Sequence, residues 1–284
     1  MAARRINKAL QLLAQGQPIY YTGAEDRGYE GGRAAAGTWA DYITYEMEHG
    51  PFDVSGLLAF MRGLVDGGPT ASGHRTPTVI VTLPVTGADE QRLRSNAWMV
   101  SQVLACGVHG ILLCHAESPS AVRAFVESTR YTFRGGGRGS GGQATAASIW
   151  GVPTAEYLER ADPWPLNPNG ELLLGLKIEN TRALENAESV AAVPGISFAE
   201  WGPGDMGMSL GFADAHDPPY PPEMQAARNR VLAACQANKL AFLEQVTPEN
   251  VVEQIGAGVM IGAGRNAEAA SAIGRRHTQR LEPW

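Results

Sequence analysis

Cysteine is scarce in this chain. There are three in 284 residues, Cys106, Cys114 and Cys235, an odd number, widely spaced and without a CxxC pair. That pattern excludes a disulfide framework and fits reduced thiols in a cytoplasm. Long apolar runs are absent too, since nothing approaches the roughly 20 residues needed to span a bilayer. The stretch "MAARRINKALQLLAQGQ" starts basic but soon turns amphipathic, with neither a signal-peptide core nor a cleavage site. No run of Lys and Arg occurs, and a net charge of −6 offers phosphates no general basic surface. The expectation is a soluble, cytoplasmic protein that acts on a small molecule, with no nucleic-acid or membrane partner.

Glycine, by contrast, is abundant: 34 residues, clustered at loop positions, point to many strand-to-helix junctions. Runs near 18–23, 42–47, 78–83, 110–115, 172–178, 196–201, 240–246 and 258–263 predict eight strands, most of them separated by helical spacing. "TVIVTL" is apolar on both faces, as a parallel sheet covered by helices requires. Eight alternating β/α units in a chain of this length are satisfied by a closed (β/α)8 TIM barrel, taken as one domain over 1–284. An open doubly wound sheet is the alternative, but the first strand is not followed by a dinucleotide-binding glycine fingerprint. Further expectations are an opening helix at 6–13 with Ala9, Leu12 and Leu13 inward, and helices at 92–106, 119–129 and 226–238. A glycine-rich loop near 134–143 breaks all periodicity, the segment after it is helical in its second half, and the prolines around 218–222 form an irregular loop. A helix and tail occupy 266–284.

The chain is organised around 172–205, "LLLGLKIENTRALENAESVAAVPGISFAEWGPGD". It reads as strand, helix, strand, with Glu179 closing the first strand and Asp205 following the second. Parallel neighbours carry their C-terminal ends on one edge, so the two acids meet over one mouth, where a divalent cation can bind. Glu179 as a helix cap and Asp205 as a turn residue is the plain alternative. Lys177 and Glu179 are two apart and share a face, so the lysine needs an anion beside it. Strand 2 brings Glu46, Glu48 and His49 to the same edge, strand 4 brings Cys114 and His115, and strand 6 brings Trp201 and Gly202.

"YEMEHGPFD" (45–53), "LKIEN" (176–180) and "GPGDMGMSLG" (202–211) resemble, in order and in the 26-residue step from Glu179 to Asp205, the signature stretches of the HpcH/HpaI aldolase/citrate lyase family. The opening "NKALQLLAQGQP" is similar to the family's start, so the likeness covers almost the whole chain. It implies a class II aldolase on a (β/α)8 barrel, dependent on a divalent metal (Mg2+, Mn2+ or Co2+) and assembled as a homo-oligomer, a hexamer or trimer. By resemblance Glu179 and Asp205 are the metal ligands, His49 the general base or base relay, and Glu46 a supporting acid. Arg138 in "GGRGSGG" matches an Arg-Gly of the family's glycine-rich loop and, with Trp201 and Gly202, is a candidate for substrate binding. The chemistry is coherent: two carboxylates leave positions open on the cation for a chelating substrate, and a carbonyl bound there is polarised toward an enolate. A histidine titrating near neutrality takes the hydroxyl proton whose loss drives retro-aldol cleavage.

Three positions depart from the family's pattern. Leu83 stands where an arginine usually precedes the proline ending strand 3, Cys114–His115 replaces an apolar Pro-Met, and Lys177 replaces a glutamine. The expectation is altered substrate recognition: a carbon–carbon lyase for a hydroxylated carbonyl compound rather than a standard pyruvate aldolase. Lys177 then supplies the missing positive charge, and His115 is a second proton-transfer or polar contact, while Cys114 reads as a small buried thiol. A hydratase, isomerase or acyl-CoA lyase on the same site is one alternative, and a barrel that only binds a ligand is another.

Overall fold

The structure, a computed structural model, describes residues 5–281; the last three residues of the expected C-terminal tail lie outside the described residues. Eight parallel strands form one sheet: β1 Ile19–Gly23, β2 Tyr42–Glu46, β3 Thr78–Thr86, β4 Gly110–Cys114, β5 Leu172–Lys177, β6 Phe198–Glu200, β7 Ala241–Gln245 and β8 Val259–Ala263. Each pairs with its neighbour in sequence, β1 pairs with β8, and β4 pairs with β5 through Gly110↔Leu173 to Leu113↔Leu176, so the sheet closes. A two-residue strand, Pro163–Trp164, adds to the start of β5.

Alternation along the strands sorts the core into two parts. Ile19, Tyr42, Ile80, Leu112, Leu173, Phe198, Leu243 and Ile261 form the inner cluster, and the helix Lys8–Ala14 adds Ala9, Leu10 and Leu12 to it. That helix plugs the N-terminal end of the barrel. Asn7 caps it, accepting from the Leu10 N–H (3.0 Å) and from the Thr78 hydroxyl at the start of β3 (2.9 Å). Leu10 takes the inward place expected of Leu13, which packs only partly buried against the cluster. The larger cluster lies between strands and surrounding helices and includes Leu83, whose position on β3 turns it away from the lumen.

Three local expectations need correction. The segment after the glycine loop is helical in both halves, Gln143–Trp150 and Thr154–Arg160, because Ala146, Ala147, Ile149 and Trp150 bury one face before Gly151 ends the first turn set. The proline cluster ends by starting a helix, Pro222–Asn238, with Pro222 in the first turn, where a missing N–H costs nothing. The "GPGD" stretch is likewise helical from Pro203 to Ser209, which shortens β6 to three residues.

Candidate active site at the barrel mouth

The C-terminal ends of the strands surround a cavity of about 480 Å³ lined by His49, Lys177, Glu179, Glu200, Trp201, Gly202 and Asp205, among others. Lys177 and Glu179 do share a face, and the lysine has the anions its burial demands. Its ammonium donates to Glu48 Oε2 (2.6 Å) and lies 2.9 Å from Glu179 Oε2 and 3.9 Å from Glu200 Oε1. The contact with Glu179 is an ion pair without hydrogen-bond alignment, which leaves Oε2 of this fully buried residue without a donor. Burial disfavours the Lys177 ammonium, yet Glu200 and Glu179 outweigh it and hold the group above its ordinary range.

The same burial divides the carboxylates. It works against the Glu48 charge, but the hydrogen bond from Lys177 and its positive charge win and hold that carboxyl below its ordinary value. Burial lifts Glu179 above its ordinary value despite Lys177, and lifts Glu200 to about 7. Glu179 Oε1 accepts the His115 N–H (3.0 Å). His115 itself has φ +46, a left-handed conformation that costs a non-glycine residue roughly 1–2 kcal/mol. That turn brings its ring 3.5 Å from Glu179 and 3.8 Å from Glu48, with Asn180 Nδ2 3.2 Å from Nδ1.

On the facing side, Glu46 accepts the backbone N–H of Glu48 and that of His49 (3.2 Å), so it fixes the turn that carries both. The His49 ring is exposed over the cavity, its Nε2 3.5 Å from Glu48 Oε2. Two donor groups result. Glu48, His115 and Glu179 each offer a ligand atom within 4.8 Å of the others, and so do Glu48, His49 and Asp205. A small, hard cation fits such oxygen-rich sets, in which a histidine can supply one nitrogen. Gly202, at φ +50, lets the backbone come so close that a Cβ there would sit 2.6 Å from Glu179 Oε2.

The structure thus brings His49, Lys177, His115, Glu179, Gly202 and Asp205 together and gives Glu46 a positioning contact. Trp201 borders the cavity, but its indole is buried, donates to Glu244 (3.2 Å) and meets Tyr220 edge-on. Arg138 lies apart from this group. It is 2% exposed, lies over the Tyr131 ring (4.4 Å) and donates to the Tyr157 hydroxyl (3.0 Å). That hydroxyl bonds Leu104 O near the entry to β4, at the end of the barrel away from the mouth. An arginine set in a glycine run looks free in sequence, but two tyrosines take its face. Cys114 is the buried thiol expected, donating to Leu83 O (3.2 Å) and pushed far up by burial. Glu48 and Glu200 were not singled out as site residues, although each is two residues beyond a lumen-facing position, Glu46 and Phe198, and so shares its face.

Comparison with known proteins agrees with this geometry. The HpcH/HpaI aldolase/citrate lyase family model matches residues 33–264. The hydroxypyruvate/pyruvate aldolase of Deinococcus radiodurans is 31% identical over 176 residues, 62% of this chain, and the matched stretch spans 54% of that protein. A HpcH/HpaI aldolase/citrate lyase family protein from Burkholderia cenocepacia shares the fold, with a TM-score of 0.71 at 22% identity over 96% of each chain. The citrate lyase β subunit from M. tuberculosis, solved with oxaloacetate and magnesium, has a TM-score of 0.52 at 15% identity over 91% of this chain and 96% of its own. Among the described residues no helix is long and apolar enough to cross a membrane. With the barrel closed, Glu179 just past β5 and Asp205 in the helix after β6 lining its mouth, and most of its length matched by the family model, this chain belongs to the HpcH/HpaI aldolase/citrate lyase family.

Proposed function

We propose that the protein is a divalent-metal-dependent carbon–carbon lyase that makes or breaks a bond beside a carbonyl through an enolate, on a small hydroxylated carbonyl compound. The observation that carries this reading is the meeting of Glu179, Asp205 and His49 around one cavity. Glu179 and Asp205 would hold the ion, with Glu48, which belongs to the donor group of each, beside them; Mg2+, Mn2+ and Co2+ all suit such a set. When bound, the ion supplies Lewis-acid polarisation and negative-charge stabilisation. His49 reaches out over the cavity and takes the substrate hydroxyl proton, with Glu48 orienting its ring and Glu46 holding the turn beneath. His115, fixed by Asn180 and Glu179, offers a second polar contact on the opposite wall.

Recognition differs from that of a pyruvate aldolase in this reading. Leu83 is buried in the outer core and brings no charge to the mouth, so Lys177 is the cation available to an anionic group. Exposed Trp98 and Phe133 provide apolar surface for assembly as a cytoplasmic homo-oligomer. The test is cleavage and aldol addition with a panel of 2-keto acid, aldehyde and hydroxy-aldehyde substrates, before and after chelation. Activity should vanish with the metal, return on adding Mn2+, Co2+ or Mg2+, and be lost in Glu179→Gln/Asp205→Asn. Turnover indifferent to both chelation and that double substitution would sink the reading.

A further inference from the structure

Lys177 occupies the space that the acids of the mouth enclose. Its ammonium is 2.6 Å from Glu48 Oε2 and 2.9 Å from Glu179 Oε2, two residues of one donor group, and it is tied to the barrel by β5. A cation bound at 2.0–2.6 Å by those oxygens and an ammonium in contact with the same oxygens exclude one another, by volume and by charge. The lysine has another seat within reach. Glu200 is its register partner on β6, projects from the same level of the lumen and stands 3.9 Å away, too far for a hydrogen bond. Among the described residues the Glu200 carboxylate has no hydrogen-bond partner and only this ion pair. Both side chains also border a space of about 100 Å³ deeper in the lumen, which gives the long lysine stem room to turn.

We propose that Lys177 is a tethered cation that holds the Glu48–Glu179 seat in the metal-free protein and moves to Glu200 when a divalent ion enters. The inference rests on the metal site proposed above and adds to it a built-in competitor and a place for that competitor to go. Lys177 is then a positioning residue that sets metal affinity, and in the loaded protein it remains as a second cation beside the ion. Glu200 does the opposite: by receiving the ammonium it favours metal entry.

The test is calorimetric titration of Mn2+, with Mg2+ and Co2+ alongside, into the chelator-stripped full chain and its Lys177→Gln and Glu200→Gln variants, with thermal melts to establish folding. Lys177→Gln should tighten Mn2+ binding by roughly tenfold or more, because it removes a positive charge a few ångströms from the ion, although it removes a conspicuous side chain from the site. Glu200→Gln should weaken it, because the displaced ammonium loses its acceptor. Wild-type affinity or weaker in a folded Lys177→Gln variant overturns the proposal. If that variant does not fold, unchanged affinity in Glu200→Gln overturns it. Failure of the wild type and both variants to bind any of the three ions sinks the metal reading as well, whereas wild-type binding with insensitive variants sinks only this inference.

Discussion

Gly202→Ala separates backbone strain from damage to the site. Gly202 has φ +50, so an alanine there carries a left-handed penalty of roughly 1–2 kcal/mol. The new methyl would also lie 2.6 Å from both Cβ and Oε2 of Glu179. Carbon atoms pack at about 3.5–4.0 Å, so one side must yield by roughly 1 Å. Gly202 caps the helix Pro203–Ser209, whose Met206 N–H returns to its carbonyl (2.9 Å). The Glu179 side chain is therefore the part that moves, off the His115 N–H and out of line with Glu48 and Asp205. We expect a stability loss of roughly 2–5 kcal/mol, the left-handed penalty plus the overpacking, and a fall in Mn2+ affinity and turnover of roughly ten- to a hundredfold. Gly211→Ala is the control, because Gly211 has φ +90 with nothing within 4 Å of its Cβ. It should lose only the left-handed penalty of roughly 1–2 kcal/mol and keep wild-type metal affinity. Paired melts and Mn2+ titrations check both variants. Equal metal affinity in the two would refute the argument that the Gly202–Glu179 contact builds the site.

Two further outcomes concern the barrel body and the lumen. Asp41 is fully buried, takes a hydrogen bond from the Tyr20 N–H and is ringed by Lys8 (3.5 Å), Arg275 (3.2 Å) and Arg280 (2.9 Å), so Asp41→Asn leaves three buried cations without their shared anion. That should cost roughly 3–5 kcal/mol in chemical denaturation, and a loss under 1 kcal/mol would show that the cluster relaxes into water. Burial lifts the Glu200 carboxyl from 4.5 to about 7 in the folded state, so its contribution to stability is fully present below pH about 4.5 and is lost as pH rises through about 7. Melting temperatures of the metal-free wild type should therefore fall relative to Glu200→Gln between pH 5 and 8, and a pH-independent difference would exclude a buried, titrating Glu200.

The barrel was legible because its strands are patterned for burial on both faces. Runs such as "TVIVTL" have one stable setting, a parallel sheet under helices, and all eight expected strands pair in one closed sheet. The strand ends located Glu179, His49 and Lys177 for a related reason: period two fixes which residues share the mouth. Register across strands was not legible. That Lys177 lies opposite Glu200, or that Glu48 closes on Lys177 from three strands away, depends on how the barrel closes. The setting of Arg138 was hidden for the converse reason, since nothing in "GGRGSGG" announces two tyrosines supplied by 131 and 157. The Asp41 cluster was equally hidden, because its charges come from residues 8, 41, 275 and 280, joined only when the two ends of the chain meet.

The charge of the mouth bears on how its departures from the family pattern fit together. Glu48, Glu179 and Glu200 surround one ammonium, Lys177, and Asp205 lines the same cavity; burial, with the neighbouring carboxylates adding to it, raises Glu179 even with a lysine in contact and raises Glu200 to about 7. Buried acids in such a state either keep protons or recruit a cation. Lys177 places its positive charge between Glu48 and Glu179. In the function proposed above, substrate recognition and metal affinity draw on the same carboxylates, and a substitution meant to probe one will register in the other. For that reason the kinetics of any Lys177 variant should be interpreted at metal concentrations that saturate that variant, measured rather than carried over from the wild type.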